Sequence, residues 1–258
     1  MLGASDAKSL QITHKANILL LSNANPLQTE GNQRDIQACI DLEAIPFSII
    51  TCFLHHKKKE TLLSPVKEEL LNLQLYSVLN DTRIDAVKIG ALANKENAKI
   101  IFHALKLNSL PKIVLDPVFF YHNTELLEKK AHTFFFSQFL PLVEMITPNI
   151  SEAEKLTGSK INTLSEVYKT AEKLYRMGSR NVLIKGGALS GSTCVDILFD
   201  GKQFYSYEGT RHGNGKLPGS GSLLSSAIAV GLSRKLAPNQ AVLKAREYLQ
   251  ELWDKSRV

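Results

Sequence analysis

From residue 17 onward, short apolar runs of strand type take turns with amphipathic helical stretches, and this alternation is what most limits the folds open to the chain. The runs are Asn17–Leu21, Phe47–Phe53, Ala86–Ile89, Lys112–Leu115, Glu144–Thr147, Asn181–Lys185, Val195–Phe199 and Gln203–Tyr207. The first six are mostly continuous rather than alternating, as expected of strands covered on both faces. The last two flank Asp200-Gly201, a hairpin turn signal. Between the runs, Gln33–Glu43, Pro65–Val78, Glu96–Leu107, Glu125–Phe136 and Glu166–Met177 place apolar residues at helical spacing. Such an order builds βαβ units, so an α/β fold is predicted, a doubly wound and mainly parallel central sheet with helices on both faces. No linker or internal repeat interrupts it. One domain over 16–258, after a polar leader at 1–15, is the expected organisation.

Composition narrows the function classes. With 44% hydrophobic and 22% charged residues the chain can bury a core, which excludes a disordered tail. The 31 basic and 25 acidic residues leave +6, a surface charge that suits phosphorylated small molecules as well as polyanions. Lys57-Lys58-Lys59 lacks interleaved stacking aromatics, so a nucleic-acid partner is not expected. Three scattered cysteines, Cys39, Cys52 and Cys194, fit neither a disulfide framework nor a CxxC metal site and point to reduced thiols in a cytoplasmic protein. The apolar run at Ile18–Leu21 is too short for a signal peptide, and Phe134–Leu142 is too short for a membrane span.

In parallel α/β sheets ligands sit beyond the carboxyl ends of the strands, so chemistry is sought there. Gly219-Ser220-Gly221-Ser222 leads directly into an apolar helix. Glycines permit close approach, and unpaired amides at a helix start attract anions. Thr147-Pro148-Asn149-Ile150-Ser151-Glu152 follows a strand; Ser151 can cap the next helix, and Asn149 with Glu152 offers hard oxygen donors suited to Mg²⁺. Lys185-Gly186-Gly187 is a strand-end turn with a cation for phosphate. Asp116, in Leu115-Asp116-Pro117-Val118, ends another strand and can serve a metal or hold a loop. Each motif taken alone also fits a plain capped helix, turn or solvated lysine.

Together and in this order they resemble the hydroxymethylpyrimidine (phosphate) kinases of thiamine biosynthesis, in the ribokinase-like superfamily, and the related pyridoxal kinases. The resemblance runs from about Asn17 to the C-terminus, through Asn25-Pro26…Gly31…Asp35, Arg83-Ile84-Asp85…Lys88-Ile89-Gly90, Val114–Val118, Thr147–Ala153, Lys185–Gly187 and Gly219–Gly221. It implies an ATP- and Mg²⁺-dependent phosphotransferase acting on a pyrimidine or pyridoxal-like alcohol, often as a homodimer. By resemblance, Gly219, Ser220 and Gly221 face the transferring phosphoryl group. Asp116 and Glu152 serve the metal, while Asn149, Lys185, Gly186 and Gly187 flank the nucleotide. Asn25, Asp35, His56, Gly90 and Ala91 correspond to the acceptor pocket.

The departures fall mostly on the acceptor side. Asn25-Pro26-Leu27-Gln28-Thr29-Glu30-Gly31 stands where the family has an acidic, glycine-rich loop. His55-His56 stands where a pyrimidine-contacting Gln is usual, and Ala91 replaces a methionine. Ser222 occupies the position of the catalytic Cys. A serine hydroxyl is not a base at neutral pH without a partner; His212, in the stretch His212-Gly213-Asn214-Gly215, can be that partner, or the stretch can be a flexible flap. Losing a general base costs about 10²–10⁴-fold. Two functions are therefore carried forward: a kinase with an altered acceptor, and a pseudoenzyme of the same fold that binds nucleotide for regulation or scaffolding.

Overall fold

The continuous apolar strands are explained by a sheet with two separate cores. In the first strand, β1 (Asn17–Ala24), Leu19 and Leu21 belong to one core while Ile18 and Leu20 belong to the other. The alternation repeats in β4 (Ala86–Ile89), β5 (Ile113–Leu115), β8 (Met145–Ile146) and β9 (Val182–Ile184). Val87, Ile89, Ile113, Leu115, Ile146, Val182 and Ile184 face the first core; Ala86, Val114, Met145 and Leu183 face the second. A strand covered on both sides has no wet face, so its sequence shows no period of two.

The computed structural model describes residues 15–26, 30–57, 60–118, 120–121, 124–125, 134–186, 193–210 and 217–256. Its main sheet has nine strands in the order β11-β10-β9-β8-β5-β4-β1-β2-β3, with β2 at Ile45–Lys57, β3 at Glu60–Pro65, β10 at Thr193–Phe199 and β11 at Phe204–Thr210. The six strands from β9 to β2 are parallel to one another, while β3 and β10 run antiparallel to their neighbours. The first core is covered by α2 (Glu68–Leu79), α3 (Lys95–Leu107), α4 (Ile150–Thr157) and α5 (Leu164–Arg176). The second is covered by α1 (Asn32–Asp41), α6 (Ser220–Ser233) and α7 (Pro238–Lys255). From β1 the chain builds β2 on one side and then crosses to β4 on the other. The strand order therefore reverses between β1 and β4, which opens a crevice at their carboxyl ends.

All eight expected strands are present. Two helix expectations need correction. The segment expected as helical from Pro65 begins as α2 only at Glu68, and Pro65 closes β3, an edge strand paired antiparallel with β2. The polar run before Thr61 hides this strand, and its hairpin turn at 58–59 lies outside the described residues. The helix expected over Glu125–Phe136 is also not continuous. Glu125 belongs to β7 (Thr124–Glu125), which pairs with β6 (Phe120–Tyr121), and Phe135–Phe139 forms a π-type turn. The part of that helix at 126–133 lies outside the described residues, as does the leader up to residue 14. Phe134 packs edge-on against Phe102 at 5.6 Å.

Cys39 and Cys52 are buried thiols, their pKa values each pushed up to about 12 by desolvation, and Cys194 is half-buried with its thiol directed at Asp196. Among the described residues no helix is long and apolar enough to cross a membrane.

Candidate active site

Asp116 is the first residue beyond β5. Its amide donates to the Ile89 carbonyl at 2.8 Å, and Pro117 and a tight turn from the Val118 amide to the Asp116 carbonyl keep the strand from continuing. The carboxylate, 4% exposed, accepts from Lys185 Nζ at 2.8 Å and from Thr147 Oγ1 at 3.4 Å. Burial would raise the Asp116 pKa, but Lys185 and then Lys88 outweigh it and hold the group below the usual carboxylate range.

Lys185 follows β9 on the next sheet edge. Its amide donates to the Pro148 carbonyl at 2.8 Å, and the residue bridges to Asn149 in parallel register. Burial works against its charge, but Asp116 and Glu152 together raise its pKa. Gly186 comes next because nothing larger fits. A Cβ there would lie 1.7 Å from the Val195 carbonyl oxygen. The Gly186 amide donates to buried Asp196 at 2.9 Å, and Asp196 is itself clamped by Arg246 of α7.

Asn149 and Glu152 form a reciprocal capping box at the start of α4. The Asn149 side chain accepts from the Glu152 amide at 2.9 Å, and the Glu152 carboxylate accepts from the Asn149 amide at 2.8 Å. Asn149, and not Ser151, is therefore the cap; Ser151 lies inside the helix. The sequence Asn-x-x-Glu satisfies the box directly and leaves no role for a serine two residues later. Glu152 is buried, and desolvation pushes its pKa to about 7, with Lys185 lowering it and Asp116 raising it further.

Across from these groups stands the N-terminus of α6. Gly219 caps it in the left-handed region at φ 72°, where a side chain would be strained. A Cβ on Gly221 would lie 3.4 Å from Lys185 Nζ and 3.6 Å from Asp116 Oδ2, so the ion pair looks directly at the first helical turn. Ser225 turns its hydroxyl back to the Gly221 carbonyl at 2.9 Å. Gly219, Ser220, Gly221 and Ser222 are each partly exposed, and no described residue bonds the Ser222 hydroxyl. Asp116 and Lys185 thus meet the α6 start, with Asn149 bridged to Lys185 and Glu152 within its electrostatic reach.

The acceptor side is arranged otherwise. Asp35 was expected in the substrate pocket. It is instead fully buried, with both carboxylate oxygens on Lys88 Nζ at 2.8 and 2.9 Å and one also accepting from Ser226 at 2.8 Å. Its carboxylate is thus turned to Lys88 and Ser226 rather than to solvent. Asn25, Gly90 and Ala91 are buried too, and the Ala91 carbonyl accepts from Thr51. Of His56 only the backbone, paired in β2, is described; Gly187, His212 and residues 27–29 lie outside the described residues.

Sequence reasoning gave no role to Lys88, Ser226, Asp196 or Arg246. One signal was available for Lys88. A lysine inside the four-residue buried strand Ala86-Val87-Lys88-Ile89 must have a carboxylate opposite it.

The sequence match settles the family. Residues 29–257 fit the phosphomethylpyrimidine kinase family. The chain belongs to it. It is 36% identical over 224 residues to the hydroxymethylpyrimidine/phosphomethylpyrimidine kinase of Aquifex aeolicus, covering 86% of this chain and 88% of that protein. A crystal structure of phosphomethylpyrimidine kinase from Clostridium difficile is 28% identical and superimposes with a TM-score of 0.80, covering 92% of this chain and 99% of that one. An ADP complex of Bacillus subtilis pyridoxal kinase shares the fold at 22% identity, with a TM-score of 0.84 over 92% and 91% of the two chains. The chain spans about half the length of the bifunctional thiamine biosynthesis proteins it also matches. Phosphomethylpyrimidine kinases are phosphotransferases of the ribokinase-like fold, and the two-core sheet described above is that fold.

Two outcomes follow from this geometry. Gly186→Ala forces β10 away from β9 and lowers Tm by more than about 5 °C in a thermal melt. Glu152 carries a folded pKa of about 7 against an ordinary 4.5. Between those values the unfolded chain has released the proton and the folded one still holds it, so this group's contribution to stability falls as pH rises through that window. Glu152→Gln keeps the capping box and removes the penalty, so its Tm relative to wild type is higher at pH 8 than at pH 5. An equal difference at both values would contradict the assignment.

Proposed function

We propose that this protein is an ATP-dependent kinase that phosphorylates the hydroxymethyl group of a pyrimidine or of its monophosphate. The observation that carries the reading is the Asp116–Lys185 pair facing the open first turn of α6, with Glu152 beside it. Phosphoryl transfer asks a protein mainly for position and for charge to meet the moving phosphoryl oxygens. The amides at Gly219–Ser222 and the positive end of the helix supply part of that charge, and Lys185 supplies the rest. Lys185–Gly187 border the nucleotide, and an ADP-bound relative of the same fold supports a nucleotide there.

Among the described residues no group of three His, Cys, Asp or Glu side chains is placed to hold a metal. Mg²⁺ does not need one, because it is usually held by one or two carboxylates together with substrate phosphates and water. Asp116 and Glu152 fit that pattern. They are two hard carboxylates near enough to raise one pKa through the other, with a single lysine between them. The ion, when bound, would neutralise phosphate charge.

Ser222 leaves the family's proton-accepting thiol out of the reaction. Its hydroxyl can donate to a phosphoryl oxygen but cannot act as a base at neutral pH. The enzyme is therefore slow, with its remaining rate set by position and electrostatics.

The test measures ADP formation from Mg·ATP with hydroxymethylpyrimidine, hydroxymethylpyrimidine phosphate and pyridoxal as acceptors. Turnover with a pyrimidine acceptor, lost by about 10²-fold or more in Asp116→Asn, is expected. Nucleotide binding without turnover on any of the three would favour the regulatory reading, and absence of any ADP-induced Tm shift would end both. Ser222→Cys is expected to raise kcat less than about tenfold, well short of a full general-base contribution, because the acceptor side also differs.

A further inference from the structure

We propose that Lys88, Asp35 and Ser226 form a positioning node that sets the acceptor-side loop against the phosphoryl-side helix, an inference that rests on the kinase reading above. Lys88 shares with Ala86 the face of β4 turned to α1 and α6, where the rest of the second core is apolar. Its ammonium is 0% exposed and reaches both oxygens of Asp35, which is also 0% exposed. An apolar core of the same volume would be as stable as such a pair or more so. Stability alone therefore does not account for a lysine at this place, whereas a fixed geometry does.

The geometry joins the two halves of the site. Asp35 lies in the first turn of α1, where the amides of Arg34 and Asp35 both donate to Gly31, the residue that closes the loop from Asn25. Gly31 is seated on Asn23 so closely that a Cβ would fall 2.7 Å from it, which fixes the loop's return to β1. On its other side Asp35 accepts from Ser226 Oγ at 2.8 Å. Ser226 lies four residues after Ser222, one turn further along the same face of α6. Lys88 anchors both helices to the sheet two residues before Gly90. A Cβ on Gly90 would lie 3.0 Å from its nitrogen. The first turn of α1, the early part of α6 and the end of β4 thus meet at one buried carboxylate.

Two variants separate position from stability. Ser226→Ala removes one hydrogen bond and no charge. The double variant Asp35→Asn with Lys88→Met removes both charges and leaves neither alone. Since a misplacement near 1 Å costs up to about 10²-fold, each variant should lower kcat about tenfold and weaken ADP binding about threefold, with the acceptor KM within about twofold of wild type. The Ser226→Ala melt should stay within about 3 °C of wild type. If both variants keep wild-type kcat and ADP affinity, whatever their Tm, the node is only structural and the proposal is overturned. If the wild-type protein transfers no phosphate, the kinase reading fails separately. Weaker ADP binding in Ser226→Ala at unchanged Tm then still supports the node, and unchanged ADP binding in both variants overturns it.

Discussion

One ammonium faces two carboxylates at the carboxyl edge of the sheet. Lys185 is bonded to Asp116 and stands within electrostatic reach of Glu152, and all three are largely out of water. Lys185, helped by Lys88, holds Asp116 ionised, but burial lifts the Glu152 pKa towards neutrality and Lys185 does not offset it. The site is thus built with a deficit of positive charge, and a nucleotide arriving with a divalent cation would relieve it. The same deficit makes the site costly to stability near neutral pH, a common relation between active-site charge and folding.

The scaffold exists to hold these three groups at fixed distances. Asp116, Asn149 and Lys185 follow three adjacent parallel strands, each stopped at the same level by a local device. Pro117 ends one, the capping box ends the next, and Gly186 against the Val195 carbonyl ends the third. The second core brings α6 across the top, so its open turn meets the ion pair. Two charged side chains buried on strands near the site are Lys88 on β4 and Asp196 on β10. Each is closed by a partner from a helix of the second core, Asp35 from α1 and Arg246 from α7.

What was legible in the sequence follows from range. Strands covered on both faces write their position as continuous apolar runs, so the sheet could be read almost entirely. The edge strand β3 could not, because it has one neighbour, and charged residues lead into it. The Asp116, Glu152 and Lys185 sites were legible as strand-end motifs, and resemblance to the family gave them roles. The bonds of Asp35 were not legible, because a carboxylate in a helical pattern looks the same whether it faces a ligand or a lysine. Its partner Lys88 is 53 residues away and Ser226 is 191 away, beyond any local pattern. The cap at α4 was visible as a motif, and only the choice between Asn149 and Ser151 needed the backbone.

On the proposed kinase reading, a serine at 222 in place of a thiol would bear on one part of this design and leave the rest intact. A phosphate at the start of α6 would meet backbone amides and glycines that let the chain approach, and neither depends on the side chain at the third helical position. Lys185 and Asp116 meet that turn at Gly221, one residue earlier. What the serine changes is the destination of the acceptor's proton. Binding and charge neutralisation can therefore persist where proton transfer has weakened, and the two can be lost independently in evolution.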